Sequence, residues 1–244
     1  MTTSTSTSTS AGAQASTGVQ AAIFPARARN GMSGNVALLI APTQFLLFEA
    51  ITAAAWKSPR YSYFHNFISD LGVTNGPTTY QGRPVDSPLG LLIDVSFCLL
   101  GVIGAYGILT LSRSLPRSSH RTWIRIAGIA FGLGGLMVGL FPENTIELAH
   151  ATGAFLNIGF GNVVLILVGA RGTHYYATTP RLARLLVGLG VLGSVAMIAL
   201  VAVPALFNGA VERTAAYPYM VSLVLLGSTA LSRTRAHRLA QVQD

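Results

Sequence analysis

A chain of 244 residues in which 51% are hydrophobic and only 10% are charged has too few charged side chains to cover a water-soluble domain. The mean hydropathy of +0.53 agrees with residence in a lipid bilayer. The net charge of +8 could suit nucleic-acid binding, but no polar domain carries the basic residues. The composition therefore argues against nucleic acid as a partner and favours membrane lipids.

Residues 1–34 precede the first apolar segment and form a tail that is rich in serine and threonine over its first 22 positions. Such a tail cannot bury enough apolar surface to offset its ordering entropy, so we predict that it is disordered and cytoplasmic. It has no apolar region of the signal-peptide type. We therefore expect the first spanning helix to act as the targeting signal.

Six apolar segments of spanning or near-spanning length follow the tail. They predict an all-α polytopic membrane protein, with a six-helix transmembrane bundle over residues 35–231 and a basic cytoplasmic tail over 232–244. The proline at 204 predicts a kink near the end of the fifth helix. The predicted helices cover residues 35–56, 88–111, 123–141, 151–170, 182–206 and 217–231.

The charges are distributed unequally between the two ends of the predicted bundle. Twelve arginines fall on the side that carries both termini and four basic residues on the other, whereas seven of the eight acids lie in the opposite half. Positive charge is retained on the cytoplasmic side during insertion, so both termini are predicted to be cytoplasmic. A bacterial inner membrane is the expected location.

A long first outer loop of about thirty residues joins the first two predicted helices and exceeds an ordinary connection. A short helix from Pro59 would place Tyr61 and Phe64 on one side and His65 and Ser69 on another. One interpretation is an interfacial helix with aromatic anchors. The other is a lid that presents His65, Ser69 and Asp70 to a cavity.

Polar residues concentrate at the start of the fourth helix. Asn144 stands three positions before Glu147, a spacing that resembles a capping box. This spacing predicts the start of a helix that continues without interruption to about residue 170. His150 and Asn157 fall on one face of that helix.

Glu49 and Asp94 lie within spanning segments, where an acid costs roughly 2.5–3.5 kcal/mol at mid-helix and needs compensation. Both lie at about the depth of Asn157, roughly 10 Å below the outer boundary. We therefore predict a polar pocket between the first, second and fourth helices, with Glu143 and His150 near its roof. A buried hydrogen-bond network with one protonated acid would explain the same residues without a ligand.

The candidate catalytic residues are His65, Ser69, Asp70 and His150. Imidazole and carboxylate groups bind zinc, and a zinc site would need His65, His150 and a third ligand such as Asp70. The sequence contains no His-x-x-x-His pair, no Gly-x-Ser-x-Gly motif and no Walker or dinucleotide-binding motif. We therefore expect no tightly bound metal and no cofactor.

Two short motifs carry a family resemblance. They are Ile-Ser-Asp-Leu-Gly at 68–72, and Phe-Pro-Glu-Asn at 141–144 followed by His150-Ala151 and Gly153-Ala154. With these motifs the chain resembles, over most of residues 35–231, the prokaryotic membrane proteins grouped as domain-of-unknown-function family 998. That resemblance implies six membrane helices and no established activity. Phe-Pro before the helix with His150 is also weakly similar to the damage-regulated autophagy modulator family.

Three hypotheses for function stay open. The first is an integral membrane protein whose outward-facing polar pocket binds a lipid headgroup, a small solute or a partner helix. The second is a membrane hydrolase for a lipid-like substrate, with Asp70, Glu49 or Asp94 as the general base and the two histidines as ligands or proton carriers. The third is a proton-coupled transporter that titrates Glu49 and Asp94.

Overall fold

The computed structural model describes residues 11–176, 178–203 and 208–243. Within these ranges, six helices are long and apolar enough to cross a membrane, which confirms the predicted all-α, six-helix class. We refer to them as the first to sixth helices. Their spanning parts are Gly31–Ala55, Gly90–Arg113, Ser119–Leu140, Glu147–Ala170, Pro180–Ala202 and Gly209–Arg233.

The six helices form a closed ring. Each helix packs against the next one in the chain, and the sixth packs against both the fifth and the first. Large side chains fill the centre of the ring, among them the fully buried Phe45 and Phe131. The ring of Phe131 meets the ring of Tyr219 edge-on at 5.5 Å, which joins the third helix to the sixth.

Two helices extend beyond the predicted segments. The first runs over Ala11–Ala55, so residues 11–34, which composition assigned to a disordered tail, continue the helix, while residues 1–10 lie outside the described chain. The last runs over Gly209–Gln243 and places Glu212 and Arg213 at its start rather than in a loop. The fifth helix ends at Ala202, and the predicted kink at residue 204 falls outside the described residues.

The fourth helix differs from the prediction at its start and in its middle. It begins at Glu147, and Asn144 is not its cap. The Asn144 side chain instead accepts a hydrogen bond from Thr74 N at 3.2 Å and donates one to Thr74 O at 2.8 Å. A π-helical turn over Phe155–Gly159 interrupts the helix before it continues over Phe160–Ala170.

The first loop, residues 56–89, is not the predicted helix from Pro59. It contains a 3-10 helix over Ser69–Gly72 and a two-stranded antiparallel hairpin formed by β1 (Thr78–Tyr80) and β2 (Arg83–Val85). Phe67, Ile68 and Leu71 are buried, because this part of the loop packs onto the end of the bundle. The first loop therefore forms one wall of any cavity at this end of the bundle.

Candidate functional site: a cleft at the acidic end

A cleft opens at the end of the bundle that carries the first loop, which we call the acidic end because Asp70, Asp86, Glu143, Glu147 and Glu212 lie there. The cleft has a volume of about 490 Å³. Its walls come from the first loop, the start of the fourth helix, the end of the fifth and the start of the sixth. It is lined by Phe67, Ser69, Tyr80, Gln81, Glu143, Glu147, His150, Ala151, Ala154, Met197, Leu200, Val201 and Glu212.

A buried ion pair shapes the loop side of the cleft. Asp70 is fully buried, and Arg83 donates to it from Nη2 to Oδ1 at 2.8 Å and from Nε to Oδ2 at 3.2 Å, a bidentate geometry. Asp70 also accepts the backbone N–H of Phe67 at 2.9 Å, and the guanidinium lies 4.5 Å from the centroid of the Phe67 ring. These contacts tie the hairpin to the 3-10 helix and use much of the hydrogen-bonding capacity of Asp70.

Glu143 is a second buried acid beside this ion pair, and one of its carboxyl oxygens has no hydrogen bond to the described residues. Its Oε1 lies 3.6 Å from Arg83 Nη2 and has no hydrogen-bond partner among the described residues, although the side chain is almost fully buried. Burial, followed by the negative charge of Asp70, raises the pKa of Glu143 to about 9. The burial of Glu143 and its hydrogen bond to Asp70 therefore keep this carboxyl group protonated at neutral pH.

This protonated carboxyl makes the folded state sensitive to alkaline pH. The folded protein keeps the Glu143 proton up to a pKa of about 9, whereas the ordinary value is 4.5. Since the folded state then binds more protons than the unfolded state, its stability falls as pH rises between those values. We expect the melting temperature of the unchanged protein in detergent to fall between about pH 6 and 9. In Glu143→Gln this fall should be smaller by several degrees.

The exposed rim residue Glu147 provides the matched control, because Glu147→Gln removes an acid of the same cleft without removing a buried one. It should retain the pH dependence of the unchanged protein. Equal slopes in all three proteins would contradict the assignment of the proton to Glu143.

Two further polar groups face the same cleft. His150 Nδ1 donates to the carbonyl of Phe141 at 2.9 Å, which assigns the proton to Nδ1 because a carbonyl only accepts. Glu212 accepts the backbone N–H of Ile68 and so joins the sixth helix to the loop. At the rim, Gln81 donates to Glu147 at 2.9 Å.

The opposite wall of the cleft is apolar. Met197, Leu200 and Val201 come from the last turns of the fifth helix, and Ala151 and Ala154 come from the fourth. Val201 is 74% exposed, so this wall continues to the outside of the bundle where lipid would lie. The cleft therefore joins a polar interior to an apolar, membrane-facing side.

The structure divides the predicted pocket residues among separate places. Glu143 and His150 line the acidic cleft, and Asn157 lines a small cavity beside His150 and Ser69, donating to Phe131 O at 3.0 Å and accepting from Tyr219 Oη at 2.7 Å. Asp94 lies against Gly72, close enough that a Cβ there would come within 2.4 Å of Asp94 Oδ1. The expected grouping between the first, second and fourth helices is thereby corrected.

Glu49 is held by the sixth helix, which is not among the three helices of the predicted pocket. Arg213 donates to Glu49 Oε1 through Nη2 at 3.0 Å and Nε at 3.2 Å, and Tyr217 Oη donates at 2.9 Å. Arg213 Nη1 also donates to the carbonyls of Tyr63 at 3.0 Å and Asn66 at 2.8 Å. This buried cluster anchors the first loop to the bundle.

The candidate catalytic residues are only partly brought together. Ser69 and His150 line the cleft, and Asp70 lies behind its wall, paired with Arg83. His65 is exposed on the loop, its ring 5.0 Å from that of Phe64, and does not line the cleft. Among the described residues, no group of three or more His, Cys, Asp or Glu side chains is placed to hold a metal ion.

Sequence reasoning missed Arg83, Glu212 and Arg213. The adjacent acid and base at 212–213 were assigned to a loop because the apolar run begins only at residue 217. A signal existed, since two acids within spanning segments require positive or donor partners and Arg213 is the only basic residue between the fifth and sixth apolar segments.

Six spanning helices, a packed loop and a half-polar cleft together define a multi-pass integral membrane protein. Residues 39–229 match the family described as "Protein of unknown function (DUF998)", and the chain belongs to that family. No curated protein and no solved structure matches the chain.

Proposed function

We propose that this membrane protein binds an amphipathic, lipid-like ligand in the acidic cleft. The observation that carries the proposal is the pairing of two unlike walls in one cleft of about 490 Å³. An acyl chain would lie along Met197, Leu200 and Val201, where the cleft is open to the bilayer. A headgroup would lie among Glu143, His150 and the other polar side chains.

The polar wall favours a headgroup rich in hydroxyl or amine groups. Carboxyl, amide and hydroxyl groups line it, and the nearby guanidinium of Arg83 is engaged by Asp70. A negatively charged headgroup would meet Glu147 and Glu212, and no cation among the described residues lines the cleft to compensate it. The neutral Glu143 carboxyl adds no further charge to this wall.

Filling the cleft tests this proposal. Ala151 lies exposed on the cleft wall, so Ala151→Trp should occupy the space of the ligand without disturbing the core. Leu148→Trp is the control, because Leu148 is 79% exposed on the same helix and does not line the cleft. We expect native mass spectrometry of gently purified protein to show one retained lipid, lost in Ala151→Trp and kept in Leu148→Trp. Equal retention in both variants would contradict the proposal.

A membrane hydrolase is the second candidate, because Ser69, His150 and Glu143 line the same cleft and Ser69 hydrogen-bonds to Glu143. In that case the bound lipid would be cleaved, and Ser69→Ala would abolish product release while the lipid remained bound. Absence of product from the unchanged protein would favour binding alone. The transporter hypothesis finds less support, because Glu49 is paired with Arg213 whereas Asp94 lies elsewhere, against Gly72.

The weak similarity to the autophagy modulator family stays a prediction.

We further propose a bacterial inner-membrane location with both termini in the cytoplasm, which rests on the unequal arginine distribution. In a Cys98→Ala background, Thr78→Cys on the exposed hairpin should react with an impermeant thiol reagent in spheroplasts, and Ser119→Cys should not. The reverse pattern would reject this orientation.

A further inference from the structure

A second cavity lies at the opposite end of the bundle, which we call the basic end because Arg113, Arg121, Arg171, Arg184 and Arg233 lie there. It has a volume of about 310 Å³ and lies among the first, second, fifth and sixth helices and the segment that follows the fourth. The residues that line this cavity differ from those that line the acidic cleft, and the proposed function does not involve this cavity.

The chemistry of this cavity is opposite to that of the acidic cleft. None of the described residues that line it is acidic, and Arg233 contributes a guanidinium. Asn35 adds an amide. Arginine and amide donors, with no carboxylate among the described lining residues, are suited to the oxygens of a phosphate group.

Among the described residues, the hydroxyl groups of the lining are enclosed or already hydrogen-bonded. The Thr178 side chain is buried, with 8% of its surface exposed, and its Oγ1 lies against Gly172, where an added Cβ would come within 2.4 Å of it. Ser114 donates to Leu111 O at 2.7 Å, Thr229 donates to Leu225 O at 2.7 Å, and Tyr176 Oη lies 3.3 Å from His120 Nε2. The guanidinium of Arg233 and the amide of Asn35 are therefore the described groups of the lining that can hold a ligand.

We propose that this cavity is a binding site for a phosphate-bearing ligand, held by Arg233 and Asn35. The phosphate belongs either to the headgroup of a lipid in the adjoining leaflet or to a small soluble phosphate compound. The phosphate site does not depend on the acidic cleft, so an experiment that rules out one of the two proposals does not rule out the other.

The test is calorimetric titration of the full-length protein in detergent with two probes, inorganic phosphate and short-chain phosphatidic acid. Saturable binding of either probe supports the site, and binding of phosphatidic acid alone identifies the lipid as the source. Arg233→Gln should weaken binding about tenfold or more, because it removes a charge-assisted hydrogen bond. Thr178→Val should leave the affinity unchanged, because the Thr178 hydroxyl faces Gly172 rather than the cavity.

Arg181→Gln is the matched control, because Arg181 is an exposed arginine at the same end that does not line the cavity. It should leave the affinity within about twofold of the unchanged protein. If Arg181→Gln and Arg233→Gln weakened binding equally, general charge attraction would explain the effect, and the proposal would be overturned. The absence of saturable binding by both probes would overturn it as well.

Discussion

Replacing Arg213 with glutamine is expected to lower the free energy of unfolding by about 3–5 kcal/mol, as breaking a buried ion pair does. The change leaves the Glu49 carboxylate buried with only the Tyr217 hydroxyl as a partner. It also removes the donor to the carbonyls of Tyr63 and Asn66, which holds the first loop on the bundle. The loop should therefore become more sensitive to protease while the six helices persist.

The measurement is reversible unfolding in detergent of Arg213→Gln, Glu49→Gln and the double variant. Because the two side chains share one interaction, the effects should deviate from additivity by about 1–3 kcal/mol. Arg60→Gln is the control, since Arg60 is an exposed arginine of the same loop and its loss should cost little. If Arg213→Gln cost no more than Arg60→Gln, the anchoring role of the cluster would be wrong.

A second pair of variants, Glu49→Gln and Asp94→Asn, separates the structure from the expectation based on helix depth. If Glu49 and Asp94 shared one pocket, the effects of the two substitutions on stability would interact. In the structure, Glu49 faces Arg213 on the sixth helix, and Asp94 lies against Gly72 of the loop. Depth along a helix defines a level in the bundle but not a direction around it. We now expect the two effects to add within about 0.5 kcal/mol.

Adding one methyl group at Gly135 should destabilise the bundle by about 1–3 kcal/mol, through the overpacking of two helix backbones. A Cβ at Gly135 would lie 2.6 Å from Gly101 Cα and 3.0 Å from Phe97 O. Both atoms belong to the backbone of the second helix, which cannot rotate away as a side chain could. The second and third helices would have to separate to accept the methyl group.

Gly188→Ala provides the control for the Gly135→Ala measurement. Gly188 also lies within a spanning helix, but no atom comes within 4 Å of its added Cβ. Its replacement should leave the unfolding free energy unchanged or raise it slightly, because alanine is the better helix former. A similar loss in both variants would show that the close approach of the second and third helices is not the cause.

The fold was largely predictable because the bilayer imposes it. Apolar segments of about 20 residues have to become helices, and their number follows from composition alone. Helix ends were less predictable where polar residues begin a spanning helix, as at Glu212 and Arg213. The π-helical turn at Phe155–Gly159 gives no comparable signal in a single sequence.

Three of the residues that the sequence singled out line the candidate cleft, but the grouping of the residues around it could not be predicted. The sequence pointed to Ser69, Glu143 and His150, and all three line one cleft. The part played by the fifth and sixth helices was missed, since Met197 and Leu200 are indistinguishable from ordinary lipid-facing residues. Only the packing of the first loop against the fourth, fifth and sixth helices creates the cleft, and loop packing depends on distant contacts such as those of Arg83 and Arg213.

A density map of the full-length protein, purified with native lipids and kept without added ligand, tests the central claim most directly. The account predicts density for an elongated molecule in the acidic cleft, with one end near Glu143 and His150 and the other along Leu200 and Val201. A cleft that is closed by the first loop, or that contains only water beside a lipid-free fifth helix, would contradict it.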